Sequence, residues 1–301
     1  WYTNTSLKNW RFQLAGINAV LPRSTNEWHS IESSLVYPQG LSTEGGKSDY
    51  VGNIDSDFIG VANVKGKLTK KLEIDVWNFY TDNVFNSLYS EITFKDSVGG
   101  WGLIAQAQQI HQHKINNGGA TEIITDSGVD PNVGMAYFQD DFSNVYGGRI
   151  ALLKNGWQFR VNMTHISDEG RFLFPREWGR EFLYTFQKRE RQDGYRNVTA
   201  WVVDLGKQHR LKNKDVINAS IGYGLYNRPE ATDAARNKYA MPANSQIDLD
   251  LFYHFNGSVP GLTLEALIVW KRAMGDTYDN PNYVINKVNL VNYQLILNYR
   301  F

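Results

Sequence analysis

Residues 291–301 read Val-Asn-Tyr-Gln-Leu-Ile-Leu-Asn-Tyr-Arg-Phe, apolar at every odd position. The even positions carry Asn292, Gln294, Asn298 and Arg300, with Ile296 the one exception. Neighbouring strand residues point to opposite faces, so the segment reads as a strand with one greasy face along its whole length. The same period recurs. Ile247, Leu249, Leu251, Tyr253 and Phe255 are interleaved with Gln246, Asp248, Asp250, Phe252 and His254. Leu262, Leu264, Ala266, Ile268 and Trp270 alternate with Thr263, Glu265 and, one step on, Lys271. Ile217–Leu225, Trp157–Met163 and Trp10–Leu14 follow suit. Weaker alternation runs through 57–66, 71–80, 84–95, 101–112, 144–153 and 196–208, which makes twelve strands in all. No segment shows a convincing 3.6-residue period.

The connections alternate in length. Going back from the last strand, 275–288 is long and 256–261 short; 227–244 is long and 211–213 short. Next, 168–195 is long, while Lys154-Asn155-Gly156 is a tight hairpin signal. The long segments 113–143 and 19–56 complete the series, and Thr81-Asp82-Asn83 is a short turn where a long one is due. Short turns at one end and long loops at the other are the pattern of an outer-membrane barrel with both termini on the periplasmic side. By this parity Phe182–Phe186 and Val133–Phe138 fall inside long outer loops, as loop strands or as loop segments folded inward.

Composition agrees with strands that cross lipid. No run of about 18 apolar residues offers a transmembrane helix. The mean hydropathy of −0.44 looks soluble, but barrel strands carry polar residues at alternate positions and escape hydropathy scales. Aromatics reach 14%, with 17 Tyr and 9 Trp, material for the girdles at the two membrane interfaces. The 31 basic and 31 acidic residues cancel, which argues against a nucleic-acid partner. Cysteine is absent, excluding disulfides and thiol chemistry. The chain opens at Trp1 without Met or signal peptide, so a cleaved leader or a missing N-terminal portion is expected.

Arg171-Phe-Leu-Phe-Pro-Arg-Glu-Trp-Gly through Thr185-Phe186 to Arg189-Glu190-Arg191 resembles the OprD-like family of bacterial outer-membrane substrate-specific porins. Ser56–Val64 followed by Val84–Tyr89 is similar to that family's central strands, and Pro260–Ala266 and the Asn298-Tyr299-Arg300-Phe301 end look like it too. The resemblance covers most of residues 50–301. It implies an all-β, transmembrane antiparallel β-barrel, 1–301 forming one barrel, with loops such as 113–143 and 168–195 narrowing the lumen. Family barrels have eighteen strands against the twelve readable here, so N-terminal strands are expected to be missing; a complete twelve-stranded barrel is the competing reading. The resemblance also implies homotrimer packing, contact with outer-membrane lipid and lipopolysaccharide, and delivery by the barrel assembly machinery through the strand ending in Phe301.

Solute passage needs fixed charges in a polar lumen. Guanidinium offers planar paired donors to a carboxylate and stays charged. Strand parity points Arg11, Arg149, Arg160, Arg300 and Lys271 away from the greasy face, with Asp248, Asp250, Glu265, Glu73 and Asp75 as the acidic wall. In the 168–195 loop, Arg176, Arg180 and Arg189 are constriction candidates among charges that otherwise cancel. Any barrel wall also needs polar residues simply to face water. His111-Gln112-His113 lacks a third metal ligand in sequence, and Asp126, Asp130, Asp140 and Asp141 lack a calcium-loop pattern. No catalytic or nucleotide motif is present, so no cofactor and no enzyme activity are expected. The expected function is passive diffusion of small hydrophilic, carboxylate-bearing solutes across the bacterial outer membrane. The alternatives are a structural or adhesive barrel, or a barrel hydrolase using Ser167, His165 and Asp168.

Overall fold

The computed structural model describes residues 1–21, 26–36, 54–120, 124–125, 128–129, 136–175 and 178–300. In chain order these form β1 (Tyr2–Asn4), β2 (Trp10–Ile17), β3 (Ala19–Val20), β4 (His29–Ser30), α1 (Ile31–Val36), β5 (Ile59–Lys67), β6 (Leu72–Thr81), β7 (Phe85–Val98) and β8 (Trp101–Lys114). There follow β9 (Ile124–Thr125), β10 (Gly128–Val129), β11 (Phe142–Lys154), β12 (Trp157–Ile166), β13 (Val198–Arg210), β14 (Val216–Asn227), β15 (Asn244–His254), β16 (Leu262–Ala273), α2 (Pro281–Val284) and β17 (Leu290–Tyr299).

Thirteen strands make one sheet in chain order, each antiparallel to the next, with β3–β4 and β9–β10 as separate two-stranded ribbons. Twelve of the thirteen are the strands that alternation predicts, with ends moved by a few residues; β13 starts at Val198 rather than 196. The three-residue β1 was too short to show a period. So were α1 and α2, of six and four residues. The sheet is not closed: β1 and β17 are its two edges among the described residues.

Register decides which side chains share a face. Leu249 pairs with Ile221 and Ile268, and Leu297 with Leu264. On this face Ile150, Leu249, Leu251, Leu295 and Leu297 are exposed, Leu295 at 74%. A continuous exposed apolar band is costly in water and favourable in lipid. The opposite face is polar: Asp248 pairs with Gly222, which pairs with Asp204, and Arg149 pairs with both Gln106 and Asn162. Period-2 alternation thus separates two solvents across one sheet.

Tight turns gather at one end. Asn155 and Gly156 both have positive φ, 49° and 80°, the left-handed pair of a two-residue hairpin. A side chain at Gly156 would meet the Gln208 carbonyl oxygen at 2.4 Å, so only glycine fits. The long connections gather at the other end. There Ile31, Leu35, Ile54, Val84, Phe85, Tyr137, Phe138 and Leu173 pack into one buried apolar cluster, tying three long connections together.

Candidate functional site

The connection from β12 to β13 carries the resemblance noted above, and it does not stay among the other loops. Its stem is closed by backbone bonds between Phe172 and Tyr195 and from Gly194 N to Phe172 O. From there residues 182–192 run as an irregular strap across the polar face of the eight strands from β7 to β16 in sheet order. Residues 182–186, expected as a loop strand or an inward loop segment, form turns rather than a strand. Of the companion segment 133–138, residues 133–135 lie outside the described residues; Tyr137 and Phe138 are buried in the apolar cluster.

The anchors follow the strand order. On β8, Gln108 Nε2 donates to Phe182 O at 2.5 Å. On β11, Arg149 Nη2 donates to Tyr184 O at 3.3 Å. Thr185 Oγ1 meets Thr164 Oγ1 of β12 at 2.9 Å, and Tyr226 of β14 donates to Thr185 O and Gln187 Oε1. On β15, Asp248 accepts the Lys188 backbone N–H at 3.0 Å, and Gln246 donates to Lys188 O. Lys188 Nζ lies between Asp250 (2.7 Å) and Glu265. Glu190, wholly buried, bonds Arg228, Lys271 (2.7 Å) and Asn244 (3.3 Å). Arg191 bridges Asp193 and Glu181.

Burial opposes ionisation of Glu190, yet Arg228 and Lys271 hold its carboxyl below the usual value. Burial likewise opposes the Lys188 cation, but Asp250 and Glu265 hold its pKa above the ordinary one. Glu181 differs: burial, then the neighbouring Asp193, push its carboxyl up to about 7.

The wall charges predicted from parity therefore have two fates. Lys271, Asp248, Asp250 and Glu265 lie on the polar face, but each holds the strap rather than standing open. Parity gives the face and is blind to what covers it. Glu73 and Asp75 both pair with Lys65 at 3.0 Å. Arg160 pairs with Asp204 at 2.5 Å. Arg149 is different. Its Nε donates to Asn162 Oδ1 at 2.6 Å, and its guanidinium lies 4.4 Å from the Tyr184 ring centre. Among the described residues it makes no ion pair. Arg11 shares that face, opposite Lys65. Arg180, just before the strap, and Arg189, on it, are exposed, Arg180 over the Phe186 ring at 4.8 Å and Arg189 with φ 61°. Arg300 is exposed beyond the end of β17. Arg176 and Phe301 lie outside the described residues, as do the candidate calcium ligands Asp126 and Asp130.

Asp140 and Asp141 are engaged by cations, Arg171 with Arg196 and Lys114 respectively. The rings of His111 and His113 are centred 5.6 Å apart and tilted by 32°, and His111 Nδ1 lies 2.9 Å from Asn144 Oδ1. Among the described residues no group of three metal-ligating side chains occurs. The trio weighed for hydrolysis is dispersed: His165 meets Thr199, Ser167 accepts from Asn144 N, and Asp168 pairs with Arg236.

Sequence reasoning missed Glu91, Tyr184, Gln187 and Arg228, and read Glu190 only as one of the cancelling loop charges. One signal was present. Gly222 and Gly224 sit on the polar face of β14, and a Cβ on Gly224 would meet Gln187 Oε1 at 2.0 Å. Strand glycines mark a close approach by another part of the molecule.

No protein-family model matches the chain, and no curated protein matches it in sequence. Solved structures do. Acinetobacter baumannii OccAB2 superposes with a TM-score of 0.68 at 14% identity, over 99% of this chain and 65% of its own. Pseudomonas aeruginosa OccK11 (OpdR) gives 0.63 at 13%, over 99% and 68%. Pseudomonas aeruginosa OpdK, solved with vanillate, gives 0.61 at 13%, over 99% and 67%. The chain therefore shares the fold of these OprD-like structures, an antiparallel sheet of strands in chain order, and spans about two thirds of their length.

Proposed function

We propose that the protein is an outer-membrane porin through which small hydrophilic solutes diffuse passively, carboxylate-bearing ones preferred. The strap anchored across the polar face carries this reading. It narrows a polar passage without needing a second domain, and it leaves Arg149 with neutral partners only. In a confined pore a fixed guanidinium is less screened than at an open surface and favours carboxylates. Vanillate, the ligand of the OpdK structure, fits the same class. The apolar face meets outer-membrane lipid, lipopolysaccharide meets the long-loop end, and assembly machinery reads the terminal strand. Trimer packing belongs to this reading as well. A sheet in hydrocarbon tolerates no free edge, so β1 and β17 find partners in the membrane.

The test is ion selectivity of the full chain in planar bilayers under a salt gradient. Replacing Arg149, Arg160 and Arg180 with Ala should move the reversal potential toward cation preference. An unchanged potential removes these arginines from the path. Absence of any conductance would favour a structural or adhesive barrel instead.

A further inference from the structure

Where the apolar band meets the short turns, the outward face carries a row of alternating aromatic and cationic side chains. Leu153 pairs with Gly102, which sets Lys154 of β11 against Trp101 of β8. Lys154 also pairs with Trp157 of β12, and Trp157 with Lys207 of β13. The order across four neighbouring strands is Trp, Lys, Trp, Lys. Each ammonium lies over an indole. Lys154 Nζ is 5.2 Å from the Trp101 ring centre, and Lys207 Nζ 4.8 Å from that of Trp157. Both indoles are exposed. Lys207 donates to the Asn155 carbonyl at 2.8 Å, but among the described residues neither lysine makes an ion pair. Asp96, on the same face of β7, is held by Lys71 at 2.7 Å.

Register fixes the depth of this row. One step further from the turns the opposed residues are Leu103, Leu152, Phe159 and Leu205, all apolar. Polar residues return on this face at Gln109, Tyr146, His165 and Thr199. Gln109 lies eight residues along β8 from Trp101, about 27 Å of strand. A strand tilted by about 40° turns that into about 20 Å of height, close to the apolar band of a barrel. The Trp–Lys row therefore lies at one edge of the hydrocarbon, where headgroups begin. Lys154 and Lys207 are the only Lys or Arg at outward positions of these four strands.

We propose that Lys154 and Lys207, with Trp101 and Trp157, form a site for the phosphate headgroup of an anionic phospholipid in the periplasmic leaflet. This rests on the reading that the apolar face meets lipid, and adds a headgroup preference to it. A lysine laid along a ring keeps its stem on apolar surface and its charge at the water boundary. Neither ammonium has a protein counter-ion there, so the phosphate of an adjoining lipid completes it. A zwitterionic headgroup brings its own cation, which the two lysines repel. A headgroup with phosphate and no ammonium meets attraction alone.

Phosphatidylglycerol and phosphatidylcholine with the same acyl chains test this. The full chain is held in detergent micelles with equal amounts of the two lipids, and native mass spectrometry counts the lipid retained by protein carrying one molecule. Phosphatidylglycerol should be retained about fivefold more often, the effect of about one lysine at a charged lipid surface. Lys154→Gln with Lys207→Gln should bring the ratio close to one. Lys8→Gln with Lys70→Gln, on other short turns, removes the same charge and should leave the ratio standing. A ratio unchanged in the row variant overturns the site, and so does an equal loss in the control. If the row variant dissociates an oligomer while its lipid ratio stays the same, the row faces a second copy and the proposal fails. Should the row variant not fold, the unaltered protein decides, since equal retention of the two lipids overturns the proposal. Ion conductance in bilayers is read alongside. A chain that conducts without preferring phosphatidylglycerol loses the headgroup site alone, and the porin reading stands. A chain that retains neither lipid and passes no ions loses both.

Discussion

Glu190→Gln should release the strap while leaving the sheet intact. Glu190 is the only strap carboxylate among the described residues that touches wall cations on two different elements, Arg228 after β14 and Lys271 on β16. Their side chains are 0% and 2% exposed, and Glu190 itself 1%. Neutralising the carboxylate leaves two buried cations without a counter-charge. Breaking a buried pair by removing one partner costs about 3–5 kcal/mol. The glutamine amide can still accept one hydrogen bond, so the lower figure applies, and about 3 kcal/mol corresponds to an about 150-fold weaker docking equilibrium. None of the strand-to-strand ladder bonds involves Glu190, so the loss falls on the strap. Hydrogen exchange reads it directly. The amides of Lys188 and Gln192, now bound to Asp248 and Glu181, should exchange about 150-fold faster, and single-channel conductance should rise as the strap leaves the passage. Adding Lys271→Met should recover part of the protection, because one of the two orphaned charges is gone. Unchanged exchange together with unchanged conductance would refute the idea that Glu190 is what pins the strap.

Two further outcomes follow from the faces and from burial. Leu249→Arg, at the centre of the apolar band between Ile221 and Ile268, should cost about 2–4 kcal/mol on folding into vesicles. The same change at Asn292, on the polar face, should cost far less, and equal costs in urea titrations would mean the faces are misassigned. Glu181 has its carboxyl raised to about 7 from an ordinary 4.5. The docked strap therefore holds more protons than the released one between those values, and docking weakens as pH rises through that window. Glu181→Gln should flatten this dependence in strap exchange measured from pH 5 to 8. A wild-type profile parallel to that of the variant would dismiss the shifted carboxyl.

Period and connection length settled most of the architecture before any coordinates. The side-chain period of a strand is two, so a run such as Val291 to Tyr299 has one arrangement that separates its apolar and polar residues, and each of the twelve long strands repeats it. The Asn155-Gly156 turn is equally local, because its two positive φ angles are a property of those residues. What alternation could not supply is contact between distant segments. Lys271, Asp250 and Glu265 were legible as polar-face residues. That Lys188 would lie between the two acids, and Glu190 against Lys271, depended on a loop about 60–80 positions away in sequence folding back across the sheet from β7 to β16. Such a loop has no period to read. Its place is set by the sum of buried ion pairs, a glycine pair on β14 that makes room for Gln187, and a tyrosine that reaches Glu91. The sequence by itself determined a sheet with one apolar and one polar face. Only the tertiary structure decided which of its charges are spent holding the strap and which are not, because a charge is neutralised by whatever lies within a few ångströms in space, not by its neighbours along the chain.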